Sequence, residues 1–540
     1  MQFNLADLWE TVADTVPDNE AVVYAERRFT YREVDLRANR LAHHLQQHGI
    51  GAGDKVALLL YNCPEYLEGM LAAFKLGAVP INVNYRYVED ELRYLLADSD
   101  SKAVIFGREF APKLAAIQTA LPGLDQFMTV EDGSDAVSDS LAAIGALDYE
   151  SALADASPDR DFGERSADDL YMLYTGGTTG MPKGVMWRHE DIFFGAFGGG
   201  GIGNEIKQPG EIAERALDGR TRCLPAPPFM HGTAHWMAFM TLYTGGCIVI
   251  SEQHHLDPSK LWQLVAREHV NFLVIVGDAF ARPLVEAIAH LPSGTDISGC
   301  SVVLSGGAVL SAAVKHRLAE TLPGSLIIDG YGSSEAGAQG QQITTAGADA
   351  AEGPCFTVND QTTVLDNEMK PARVGVVGML ARRGHIPLGY YKDPEKTAAT
   401  FPVVDGVRWS VPGDHARIEA DGTITLLGRG SVSINTGGEK VYPEEVESVL
   451  KSHRAVFDAV VVGVPDERWG ERVVALVEIR PGMRADFDNI DAHLRAHLAA
   501  YKVPREVITV AGIMRSPSGK PDYRWGTATA LDRLGMTASR

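Results

Sequence analysis

The chain is poor in the features that mark secreted, membrane-spanning or nucleic-acid-binding proteins. Its 540 residues hold five cysteines, Cys63, Cys223, Cys247, Cys300 and Cys355. They form no CxxC pair and have no metal-ligand spacing. An odd, scattered set excludes a disulfide framework and a structural zinc, and reads as small buried apolar residues. No apolar run reaches the roughly 20 residues needed to cross a bilayer. The opening stretch, MQFNLADLWETVADTVPDNE, lacks a basic region followed by an apolar one, so no signal peptide is expected and the cytoplasm is the expected compartment. Positive charge is scarce: 49 Lys and Arg stand against 71 Asp and Glu, a formal net charge of −22. Such a surface repels polyphosphate backbones, so no nucleic-acid partner is expected. Backbone donors can still hold a single nucleotide. No internal repeat and no GxxxxGK[ST] phosphate loop is present.

What remains is ordinary globular composition, 45% hydrophobic and 22% charged. The length predicts two to four lobes at roughly 100–200 residues each. Helical spacing at 31–48, 65–76, 258–268 and 311–322 alternates with short apolar runs at 55–60, 78–83, 102–106, 171–174, 247–250, 272–276, 301–304 and 326–329. That alternation predicts an α/β fold, a large multi-lobed N-terminal domain with parallel-rich sheets. Residues 107–161 and the glycine-dense 197–204 read as mobile loops. The FGGGGIGN string satisfies GxGxxG only trivially, with no suitable strand before it. After about Leu427 a polar, glycine-containing connector leads into about 110 residues that predict a small α+β domain. Its elements are helices at 443–452 and 490–498 and strands at 457–464 and 473–479.

The strongest motif is YTGGTTGMPKGV, Tyr174–Val185, directly after an apolar strand. Its glycines permit positive φ and let N–H groups converge on an anion, its threonines add hydroxyl donors, and Lys183 adds charge. This string resembles the signature of the adenylate-forming superfamily, which spans acyl-CoA synthetases, peptide-synthetase adenylation domains and beetle luciferases. Gly176 stands where that family often has Ser, which removes one hydroxyl. Further motifs follow in the family's order over nearly the whole chain: PFMHG (228–232), SGGA (305–308), GYGSSE (330–335), GYYKDPEKT (389–397), PGD (412–414), GR (428–429), GGEKVYPEEVE (437–447) and RSPSGK (515–520). In detail the chain resembles actinobacterial fatty-acid and steroid-side-chain CoA ligases.

The resemblance implies an acyl-CoA synthetase fold and an acid–CoA ligase using ATP, Mg²⁺ and CoA. ATP would be held by Thr175, Gly176, Gly177, Thr178, Thr179, Gly180 and Lys183, by Gly306, Gly307 and Ala308, and by Gly330, Tyr331, Gly332, Ser333 and Ser334. Asp414 would take the ribose hydroxyls beside Arg429, and Tyr331 would stack on adenine. Glu335, with Thr178, would hold Mg²⁺. His231 would sit by the acyl pocket with Phe229, Gly232, Trp236, Gly277 and Phe280. Lys520 would be the catalytic lysine, and Gly437, Gly438 and Glu439 would contact CoA. Residues 1–428 would form the adenylation domain, 429–431 a hinge at Ser431, and 432–540 a rotating C-terminal domain.

The expected reaction is carboxylate attack on the α-phosphorus of ATP, then displacement of AMP by CoA. The expected acid is bulky and hydrophobic. Asp278, in a GDAF context, keeps an amino-acid substrate open, and an aryl acid or a carrier-protein acceptor is the other alternative. A GxSxG hydrolase fits less well, because Ala336 replaces the last glycine. A nucleotide-binding module without chemistry leaves Lys520, Glu335 and the CoA-type segment without a purpose. A homodimer is compatible with the sequence.

Overall fold

The computed structural model describes residues 2–134, 138–175, 181–199, 205–347, 354–429, 434–436, 439–466, 470–498, 500–515 and 519–536. Structural statements below concern these residues, and for 429, 435, 439, 440 and 470 the backbone only.

Short apolar runs pair where the sequence predicts strands. Four of them, with two strands the sequence did not mark at Glu20–Tyr24 and Arg222–Pro225, run parallel in one sheet, in the spatial order Glu20–Tyr24, Cys247–Ile250, Arg222–Pro225, Phe272–Ile275, Val302–Gly306 and Leu326–Ser333. Their two-sided burial explains the continuous Val/Ile/Leu composition. Six antiparallel strands between Gly337 and Arg429 on one edge, and Arg27–Thr30 on the other, extend the sheet to thirteen strands. A second sheet of five parallel strands is built from Val79–Asn82, Lys55–Leu59, Ser101–Gly107, Gln126–Val130 and Leu147–Asp148. A three-stranded antiparallel sheet contains the hairpin Leu170–Thr175 and Lys183–Arg188. Helix Tyr31–Gln47 packs on helix Pro64–Lys75 within the main core. It starts at a capping box: Glu33 N donates to Thr30 Oγ1, and the Glu33 carboxylate accepts from Thr30 N at 2.7 Å.

The C-terminal part has its own five-stranded sheet, starting at Ile434, with helices Pro443–Ser452 and Phe487–His497 over a Val-rich core. The large sheet's last strand in sequence ends at Arg429.

Two readings need correction. Residues 107–161 are not one mobile loop. They contain helix Ala111–Ile117, a strand at Gln126–Val130 and helix Tyr149–Ala154, with Phe127, Met128 and Val130 buried. The run QFMTV is too short to declare itself. It becomes a strand because the edge of Ser101–Gly107 offers it a parallel partner. The strand predicted to stop at Asp329 continues to Ser333, so GYGS is strand and not loop. It pairs with Gly337–Thr344, and Glu335 sits in the tight turn between them. Of the glycine-dense stretch, Phe197 is buried and stacked on Phe239, whereas 200–204 lie outside the described residues.

Candidate active site

The parallel strands end on one side, and their following turns meet there, as expected for ligand sites in open α/β sheets. Gly306 and Gly330 are register partners on adjacent strands. A Cβ on Gly307, where φ is +87°, would stand 3.0 Å from Thr233 Oγ1. The Gly306–Ala308 turn therefore lies directly on the start of helix Gly232–Tyr243. Gly277 has φ +54°, and a Cβ there would stand 2.6 Å from Val309 O and 3.1 Å from Ala308 Cβ. Only glycine fits this close approach. Gly277 N donates to Ser305 Oγ at 2.9 Å, tying the pocket helix Gly277–Ile288 to the same turn.

The turn carrying Glu335 is held from four sides. Tyr390 Oη donates to Glu335 Oε1 at 2.9 Å, and Ser410 Oγ donates to Glu335 O at 2.5 Å. Trp187 Nε1 donates to Ser334 O at 3.1 Å. Arg382 Nη1 donates to Ala336 O and Ala338 O at 2.6 and 2.5 Å. Burial pushes the Arg382 guanidinium down to about 10. Thr233, Trp187, Arg382 and Ser410 were not singled out from the sequence, because an isolated residue of these types carries no local signal. Tyr390 lay inside a recognised motif and could have been. Tyr331 is half-buried against Phe356, with ring centroids 5.7 Å apart. Asp414 is buried and faces Arg429 across the antiparallel ladder.

Ser333 Oγ and His231 Nε2 are buried polar atoms at the site with no partner among the described residues. Buried groups of this kind are normally paired, so each is suited to a bound ligand. His231 caps helix Gly232–Tyr243. Burial lowers its pKa to about 4, helped by the positive charges of Lys520 and Arg86. It is neutral at pH 7. His235 is lowered to about 4 by burial as well, and bridges Phe229 O at 2.7 Å and Tyr171 Oη at 2.5 Å. Tyr171 Oη also accepts from Trp236 Nε1 at 2.9 Å, which fixes the indole beside Gly232. Phe229 is buried, and Phe280 half-lines a cleft of about 220 Å³ shared with Tyr61, Arg86 and Pro228. A larger cavity of about 530 Å³, around Arg27, Arg37 and Glu150, shares no residue with the site.

Lys520 reaches the same place from the C-terminal part. A Cβ on its neighbour Gly519 would stand 3.4 Å from Val276 Cγ1 and 3.7 Å from Ala279 Cβ, so this loop rests on the pocket helix. Lys183 is placed differently from the expectation of an open phosphate ligand: its ammonium is paired with Asp393, the N-cap of helix Pro394–Thr400. Thr175 and Lys183 face each other at the mouth of the hairpin. Gly176, Gly177, Thr178, Thr179 and Gly180, with Ser431, Gly437 and Gly438, lie outside the described residues, as do the side chains of Arg429 and Glu439.

The model of the AMP-binding enzymes matches residues 9–391, and that of the AMP-binding enzyme C-terminal domain matches 445–520. This chain belongs to the AMP-binding enzyme family. Among relatives of this AMP-binding enzyme, a 3-oxocholest-4-en-26-oate–CoA ligase of Rhodococcus rhodochrous is 47% identical, over 99% of this chain and 97% of that one. A medium/long-chain-fatty-acid–CoA/3-oxocholest-4-en-26-oate–CoA ligase of Mycolicibacterium smegmatis is 45% identical over 99% and 97%. ATP-bound MatB from Rhodopseudomonas palustris superposes with a TM-score of 0.83 at 26% identity, covering 99% of this chain and 100% of that one. The enzyme is thus an AMP-forming acyl-CoA synthetase that uses ATP, Mg²⁺ and CoA. Among the described residues, no helix is long and apolar enough to cross a membrane.

The residues present fit Mg²⁺. Glu335 offers a carboxylate fixed through Oε1, and Oε2 has no donor among the described residues. Among the described residues, no cluster of three or more His, Cys, Asp or Glu is arranged for a metal. A single carboxylate suits a cation that takes its remaining ligands from water and substrate phosphates.

Proposed function

We propose that this enzyme joins a medium- or long-chain fatty acid, or a steroid side-chain acid, to CoA through an acyl-adenylate. The carrying observation is the convergence of Gly306–Ala308, Gly330–Glu335 and His231 on one spot, with Ser333 Oγ and His231 Nε2 unpaired and the Lys520 loop resting beside them. The relatives' names support the acid class. So does the loss of the one candidate for an amino-group partner. Asp278 is buried, accepts from Ser311 N at 2.8 Å and pairs with Arg282 at 2.9 Å.

In the first half-reaction the glycine turns present backbone to the adenine, Tyr331 stacks on it and Asp414 takes the ribose hydroxyls. Ser333 Oγ donates toward phosphate oxygen. Glu335 would hold Mg²⁺, which neutralises phosphate charge when bound. Lys520 brings positive charge to the carboxylate and the α-phosphate, offsetting repulsion between two anions and aligning the attack. His231, neutral and without a protein partner on Nε2, borders the acyl carbonyl. Phe229, Trp236, Gly277 and Phe280 wall the acyl chain. In the second half-reaction the C-terminal domain (432–540) turns about residues 429–431. That removes Lys520 and brings Gly437, Gly438 and Glu439 to the CoA path. The end of the large sheet at Arg429 and the start of the small one at Ile434 support a hinge there.

We place the enzyme in the cytoplasm, in keeping with its unpaired cysteines, and as a homodimer, which light scattering of the purified protein checks. The decisive experiment is mass spectrometry of products from ATP, Mg²⁺, CoA and a panel of fatty, aryl, amino and steroid side-chain acids. Acyl-CoA with matching AMP from the fatty or steroid acids is the expected result. Product from amino acids alone, or acyl-AMP that never reaches CoA, would refute the reading.

A further inference from the structure

The pocket helix Gly277–Ile288 has two neighbours that no sequence motif connects. Its first turn walls the acyl side of the site and carries the Lys520 loop through Val276 and Ala279. In the same two turns, Asp278 and Arg282 form an ion pair whose side chains are 6% and 4% exposed. This pair faces the C-terminal part. The Arg282 guanidinium lies 5.5 Å from the ring centre of Phe457, near the start of strand Val456–Asp466. Lys451, buried on helix Pro443–Ser452, adds its positive charge to that of Arg282 in holding the Asp278 carboxyl below the usual range against the effect of burial. Asp278 also holds Ser311 N, at the start of helix Ala312–Thr321, and that helix packs against Pro443–Ser452. At the residue after Phe457, Arg515 chelates Asp458 at 2.6 and 2.7 Å and donates to Gly519 O at 2.8 Å, next to Lys520.

We propose that Asp278 and Arg282 form a clasp between the two parts of the enzyme: positioning residues that grip Phe457 and hold the orientation in which Lys520 faces the acid. The clasp rests on the acyl-adenylate reading above and adds to it the device that sets how long the first orientation lasts.

Its chemistry makes the grip reversible. Arg282 Nε and Nη1 are buried with no partner among the described residues, which opposes the closed contact. Arg480 places a second guanidinium 5.9 Å from the same Phe457 ring, where the charges of Arg282 and Arg317 repel it. Glu286 and Asp278 attract Arg480, while Glu447 shares Lys451 with Asp278. Attraction through the ring and through Lys451 is thus set against repulsion and unpaired donors that rotation returns to water. A contact balanced this way biases an orientation without locking it. Because the clasp sits on the helix that walls the acyl pocket, an acid that shifts Ala279 or Phe280 also shifts the grip.

The test is Phe457→Ala in the full-length enzyme. Phe457 is half-buried and outside the cores of the C-terminal part, so the variant folds. A lost cation–π contact shifts the orientation balance by about three- to tenfold. Pyrophosphate release from acid and ATP should slow by that factor, and CoA-dependent consumption of supplied acyl-adenylate should hold or rise. Phe457→Tyr, which keeps an aromatic face, should restore the first rate. Equal slowing of both half-reactions, or an unchanged ratio, would overturn the clasp. Hydrogen exchange gives a readout independent of activity. Amides of 519–523 and 277–282 should exchange faster in Phe457→Ala, with strand residues 473–479 unchanged. Unaltered exchange at 519–523 and 277–282 would overturn the clasp as well. If no acid yields acyl-adenylate even with the native enzyme, the activity reading fails, and the exchange result alone decides the clasp.

Discussion

Replacing Lys520 by Ala should separate the two half-reactions, and the structure sets the size of the effect. Lys520 stands at the mouth of the site, close enough to help hold His231 well below the usual imidazole pKa. A unit charge about 4 Å from developing negative charge contributes about 4 kcal/mol at an effective dielectric of about 20. Lys520 is solvent-exposed, which screens part of this. A loss of roughly 3 kcal/mol remains, or about 10²-fold in the adenylation rate. Exposure also means that the substitution leaves no cavity, so the melting temperature should stay within about 2 °C. The assay is single-turnover pyrophosphate release with saturating acid and ATP, run beside CoA-dependent turnover of chemically supplied acyl-adenylate. The first should fall about a hundredfold and the second should stay near the native rate. Adenylation within about threefold of native would remove Lys520 from the first step. Loss of both rates together would show that Lys520 does not act in one orientation only.

Further outcomes follow from named contacts. Glu335→Gln should raise the Mg²⁺ concentration needed for half-maximal adenylation about tenfold or more, because one carboxylate oxygen is lost as a ligand; an unchanged Mg²⁺ titration would refute its role. Gly307→Ala, at φ +87° and 3.0 Å from Thr233 Oγ1, should raise KM for ATP and cost about 1–2 kcal/mol of stability, read by urea unfolding. A native KM would mean that this turn does not meet the nucleotide. Acid should destabilise the fold early. Burial lowers His189 to about 3 and His231 and His235 to about 4. The unfolded chain takes up these protons below about 6.5 and the folded chain does not, so stability is full above 6.5 and drains as pH falls toward 4. Each histidine contributes a slope of about 1.4 kcal/mol per pH unit in that window. A melting temperature independent of pH between 7 and 5 would contradict this.

Sequence alone carried the parts of the protein whose physics is local. Apolar runs bounded by glycine announced the parallel strands, as at Cys247–Ile250, and capped, periodic segments announced helices such as Pro443–Ser452. The order of the motifs, from the Gly/Thr loop to Lys520, pointed to adenylate formation. These signals sit in contiguous residues, because phosphate and adenine need several backbone groups from one turn. What depends on partners distant in the chain was silent. Gln126–Val130 is a strand only because Ser101–Gly107 lies beside it. Arg382, Ser410, Trp187 and Tyr390 brace the Glu335 turn through bonds spanning 46 to 147 residues, with no pattern to betray them. Asp278, ambiguous in the sequence, was assigned to Arg282 and Ser311 by burial alone. Lys183, read as a phosphate ligand, was met by Asp393, which lies 210 residues away in the sequence. Local spacing determines which chemistry a chain can present. Long-range packing decides which charges remain available for it, since a buried charge must find a partner wherever the fold brings one.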